Sequence, residues 1–128
     1  MSNSIGSDAL QGAIFSALST ALPDVPIYDE VPETADMPYI VIGKDSIDDN
    51  GTKLDDIYEI SVEISIYSNY KGMKEVKEKS TKVIEALDGF NFEDSDSVFQ
   101  FLRIDDISHD KENDDMRSAT ITVVFLAS

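Results

Sequence analysis

Residues 57–67 read IYEISVEISIY, and residues 71–87 read KGMKEVKEKSTKVIEAL. In the first stretch Tyr58, Ile60, Val62, Ile64 and Ile66 alternate with Glu59, Ser61, Glu63, Ser65 and Tyr67. A period of two predicts a strand with one buried and one open face. In the second, Met73, Val76, Ser80, Val83, Ile84 and Leu87 share one side of a helix, and Gly89 stands where helices commonly stop. Lys71, Lys74, Lys79 and Lys82 interleave with Glu75, Glu78 and Glu85 on the other side. The spacings Glu75 to Lys79 and Glu78 to Lys82 suit i,i+4 pairing, so this is a solvated zwitterionic face rather than a nucleic-acid patch. One apolar strand face followed by one apolar helix stripe predicts a two-layer domain. The strand spans about 36 Å at about 3.3 Å per residue, and the helix about 24 Å at 1.5 Å per residue. The strand is therefore expected to overhang its cover, through a bulge or a projecting hairpin.

Upstream, Leu10, Ala13, Ile14, Ala17, Leu18 and Ala21 form one helical stripe over residues 8–22, with Ser7 as N-cap and Pro23 as terminator. Residues 9–23 carry no charge at all. The opposite face holds Gly12, Ser16, Ser19 and Thr20, with Phe15 and Leu22 off the main stripe, and either packs inside its own domain or meets another subunit, for which Gly12, Phe15, Ser16, Ser19 and Thr20 are the candidates. Pro26, Pro32 and Pro38 confine residues 27–31 to a short edge strand. Residues 39–42 make a compact apolar strand ended by Gly43. Residues 45–56 form a polar connection around Asn50-Gly51, a mobile loop or projecting hairpin, with Asp48, Asp49, Asn50, Gly51 and Lys53 as candidates for touching a partner. Residues 98–107 and 117–126 read as strands around an acidic turn at 110–115. The order α-β-β-β-α-β-β predicts an α+β single domain over residues 1–128, with residues 1–7 flexible. Its mostly antiparallel sheet has four to five strands and both helices on one face. The uncovered face carries Ser, Thr, Tyr and the carboxylates of Glu59 and Glu63.

The chain has 128 residues, 26 acids, 10 bases and a net charge of −16, with half of the bases in residues 69–92. At 41% hydrophobic it is too apolar to be disordered. Zero Cys excludes disulfide frameworks, thiolate metal sites and Cys nucleophiles. No apolar run is long enough to span a membrane, and the N-terminus lacks a targeting pattern. Aligning a Ca²⁺-loop glycine on Gly51 puts Ser46 first and Ile57 twelfth, where carboxylates are required. The single His109 is followed by Asp110, which in a strand points the opposite way. No nucleophile elbow or Gly-rich phosphate loop occurs. No catalytic, cofactor or metal site is therefore expected. The overall negative field also opposes groove binding to nucleic acid and docking on anionic membranes.

Three runs in order, ALQGAIFSALS at 9–19, VPIYDEVPETADMPYIVIG at 25–43 and EISVEISIYSNYKGMKEVKEKSTKVIEAL at 59–87, resemble the tail completion proteins of tailed phages. These are also called tail terminators or head-tail joining proteins. Tyr67 stands where that family often has Trp. The resemblance implies a structural virion protein, not an enzyme, made in the bacterial host cytoplasm. It implies a hexameric ring at the head-proximal end of the tail that stops tube growth and contacts the tail tube protein and the head connector or stopper. DNA would pass through without specific binding, with Glu59 and Glu63 as candidates for the channel wall. The alternative for so acidic a chain is a DNA mimic that occupies a host nucleic-acid-binding protein.

Overall fold

A computed structural model of the chain describes residues 7–48, 58–93 and 97–128. The elements in order are α1 (Ser7–Ala21), β1 (Ile27–Tyr28), β2 (Tyr39–Asp48), β3 (Tyr58–Ser68), α2 (Lys74–Leu87), β4 (Asn91–Glu93), β5 (Val98–Asn113) and β6 (Met116–Ala127). The strands form one sheet in the order β1-β2-β3-β6-β5-β4. Among the described residues only the β1–β2 pairing is parallel. This is the α+β architecture the sequence predicts, with one strand more. The addition, β4, is three residues long and pairs with Val98, Phe99 and Gln100. Its single apolar side chain, Phe92, stacks on Phe99 with ring centroids 6.0 Å apart. So short a run has no alternation to read.

The alternating row of β3 organises the core. Ile60, Ile64 and Ile66 are fully buried and Val62 nearly so, opposite Phe125, Ile121, Ala119 and Val123 of β6. Leu10, Ile14 and Leu18 of α1 and Val76, Val83 and Leu87 of α2 close over them. Burying side chains of this size contributes about 1.5–3 kcal/mol each. The expected overhang of β3 does not occur, because α2 is not its only cover. α1 packs against α2 and over β1 and β2, and beyond α2 the ring of Phe90 meets that of Phe125 at 6.5 Å. The irregularity falls on the partner strand instead.

That irregularity corrects the expected end of β2. Gly43 does not terminate it; the register shifts between Ile42 and Asp45, and the strand runs on to pair Asp45 with Val62 and Asp48 with Glu59. A bulge at a glycine lets the strand continue where a plain pattern reading stops it. The β5–β6 hairpin is also longer than expected. Its turn is Asp114 and Asp115 alone, with Asn113 paired to Met116 and the Asp115 amide donating to Asn113 Oδ1 at 2.8 Å. α1 begins at Ser7. After α2, Gly89 adopts a φ of +74° and ends the helix as expected.

Candidate assembly surfaces

Two surfaces follow from this layering. The first is the outer side of α1. Its stripe Leu10, Ile14 and Leu18 is fully buried, which by helical spacing turns Gly12, Phe15, Ser16 and Thr20 outward, all exposed, with Ser19 half-buried. Phe15 keeps 46% of its surface exposed. The Thr20 hydroxyl donates back to the Ser16 carbonyl at 3.0 Å, so it offers a methyl rather than a free donor. Beside this face, α1 and β1 form a groove of about 360 Å³ whose lining includes Gly12, Phe15, Ile27 and Ile42 together with Gln11 and the carboxylates Asp8 and Asp29. A side chain added at Gly12 would meet nothing within 4 Å.

The second surface is the side of the sheet that neither helix covers. Alternation from the buried row places Glu59, Ser61, Glu63, Ser65 and Tyr67 of β3 there. The register lines them up in cross-strand rows: Glu63 with Thr122 and Asp106, Ser65 with Thr120 and Ser108, Tyr67 with Ser118 and Asp110. Ser65 and Thr120 share a hydroxyl hydrogen bond at 3.3 Å. At the β1 side, Tyr28, Tyr39 and Tyr67 form an aromatic run with centroids 5.8 and 5.5 Å apart, each contact worth about 0.5–1.5 kcal/mol beyond area burial.

The cation seen on this face is Arg103. Its Nη2 lies 3.3 Å from Glu59 Oε1 and its Nε donates to Asp105 Oδ1 at 3.1 Å. The hydrogen bond to Asp105, aided by attraction to Glu59, pushes the guanidinium pKa up from its already high value. Arg103 spans β6 to make the first contact, since β6 lies between β5 and β3. The sequence reading did not find this residue. Three register shifts in β5, between Phe101 and Arg103, Ile104 and Asp106, and Lys111 and Asn113, destroy the period that would have shown its side.

Among the described residues no group of His, Asp and Glu could hold a metal ion. His109 pairs with Ala119 on the helix side, and Asp110 with Ser118 on the open side, so the two point apart. Asp48 ends β2, while Asp49, Asn50, Gly51 and Lys53 lie outside the described residues. The expected pairs on α2 do not close to ion-pair distance: among the described residues the ion pairs are Arg103–Glu59, Arg103–Asp105 and Lys111–Asp114. Glu75 instead accepts a hydrogen bond from Ser68. No helix of the described residues is long and apolar enough to cross a membrane.

A family model described as tail completion protein gp17 matches residues 10–127. Among solved structures, a chain from the virion of a native gene transfer agent particle is similar, with a TM-score of 0.68 and 25% identity. The match covers 92% of this chain and 92% of that one. No curated protein matches the chain.

Proposed function

The chain belongs to the tail completion protein family and is a structural component of a phage-type virion tail, and from that premise we propose that it caps the head-proximal end of the tail tube as a hexameric ring. In this reading the ring stops tube growth, joins the head connector and leaves a channel for DNA. The observation that carries it is the chemical contrast between the two surfaces of one thin domain. On the outer face of α1, Gly12, Phe15, Ser16, Ser19 and Thr20 bring no charge to desolvate and Phe15 is exposed, with the one carboxylate of the helix, Asp8, in its first turn, which suits burial against another subunit. The open sheet face is polar and acidic, and Arg103 on it is held by two carboxylates. A wall that DNA must slide past is best made this way, because each available cation adds a phosphate contact.

Gly12, Phe15, Ser16, Ser19 and Thr20 then serve subunit contact, and Glu63 with Glu59 faces the channel. Asp48, Asp49, Asn50, Gly51 and Lys53 meet the neighbouring ring or tube. Negative-stain microscopy and native mass measurement, on the protein alone and on purified tails, test the reading. Six copies at the head-proximal tail end are expected. A single copy there, or none, overturns the ring.

A further inference from the structure

The most exposed large apolar side chain among the described residues is Tyr70, at 49%. It does not sit on a loose turn. Its amide donates to the Ser68 hydroxyl at 3.0 Å, that fully buried hydroxyl donates in turn to Glu75 of α2, and Gly72 follows at a φ of +111°. Two hydrogen bonds and a left-handed glycine thus fix the turn that carries this half-exposed ring, whose edge lies beside Gly72. Directly after it come Lys71, Lys74 and Lys77, all exposed, in a chain whose net charge is −16.

The groove between α1 and β1 has the opposite character. Phe15 and Ile27 line it, Gly12 leaves room beside them, and Asp8 and Asp29 are part of the same lining, with Glu30 next in sequence. Residues 1–43 contain six acids and no base. A half-exposed aromatic followed by lysines and a groove lined by apolar side chains and two carboxylates are complementary in apolar character and charge. They belong to different parts of one chain, so a contact between them joins unlike surfaces of two copies and repeats from copy to copy. Such head-to-tail contacts close into rings when the rotation allows. Tyrosine at the centre and charge pairs at the rim also match how interfaces divide affinity from orientation.

We infer that Tyr70 of one copy seats in the α1–β1 groove of the next, against Phe15, with Lys71 and Lys74 meeting Asp8 and Asp29. This rests on the self-association proposed above and names its geometry. The absence of native cysteine provides the test. Phe15→Cys and Tyr70→Cys variants are incorporated into tails separately and as a mixture, oxidised, and resolved without reductant, beside native mass measurement of the unaltered chain on tails. Covalent dimers in the mixture, and in neither variant alone, are expected. Lys71→Glu and Asp29→Lys should each lose the oligomer while keeping the circular dichroism spectrum, and the two reversals combined should restore it. Dimers from Phe15→Cys alone mean a symmetric α1–α1 contact and overturn the inference. A groove filled by the chain's own N-terminus or by another virion protein gives no dimers in the mixture, which overturns the inference and leaves the ring intact. If the unaltered chain stays single on tails, both readings fall.

Discussion

Arg103 on β5 reaches across β6 to Glu59 on β3, Nη2 to Oε1 at 3.3 Å, and beside that bridge Val124 is only 1% exposed although it faces away from both helices. Arg103 pairs with Val124 in register, and Val124 with Ser61. The guanidinium and its stem therefore lie over an apolar side chain on the open face. The charge pair itself is half in water and screened there, so the packing of the stem is the larger contribution.

Arg103→Ala should accordingly destabilise the fold more than Glu59→Gln does. Urea unfolding of both variants checks the order. Equal losses would mean that the ion pair, not the stem, is what matters.

Ser16→Lys places a charge on the uncharged face of α1. The position is exposed, so folding stability should stay within about 0.5 kcal/mol, while assembly onto tails is lost because a buried unpaired ammonium is costly. Circular dichroism and tail incorporation read the two effects separately. Normal incorporation would remove α1 from the interface.

Glu63→Lys with Asp106→Lys puts two cations into one row across the open face, since both flank Thr122. Particles should form in normal numbers and release DNA more slowly, through new phosphate contacts. Unchanged infectivity would show that this row does not line the channel. Glu59 is the poorer probe, because its replacement by Lys also repels Arg103.

Gly89→Ala should cost about 1 kcal/mol through the backbone. A side chain there meets nothing within 4 Å, so its φ of +74° is the sole reason for the loss. The urea midpoint should fall with no change in slope. A neutral substitution would mean that the turn after α2 relaxes freely.

Ile64→Ala, at the fully buried centre of β3, should lower stability by about 2–5 kcal/mol. A loss below that range would mean that α1 and α2 settle into the space.

What could be read from the sequence were the elements whose side chains keep one period from end to end. β3 shows its two faces without interruption, α2 its apolar stripe, and α1 its uncharged back. Those three placed the layers and the open face carrying Glu59 and Glu63. β5 was legible as a strand over residues 98–107, but its faces and its length were not, because its bulges turn the following side chains over. Phe101, Ile104 and Ile107 all fall on the helix side at spacings of three, which breaks the period of two that marks a strand face. Gly43 misled for the same reason in β2. The α1–β1 groove drew on residues from three separate segments, and the Tyr28–Tyr39–Tyr67 run needed the register of two strand pairings, which no local pattern contains.

The sheet ends in two very short strands. β1 covers only Ile40 and Val41 of β2, and β4 only Val98, Phe99 and Gln100 of the sixteen-residue β5. The rest of β5 presents a long edge that in a flat, apolar strand would recruit other chains into amyloid-like stacks. Its three bulges break the spacing of the free backbone groups, and Asp105, Asp106, Asp110 and Glu112 crowd like charge along the same margin. The bulges that hide the two faces of β5 from pattern reading also spoil its free edge as a template on which further strands could pair.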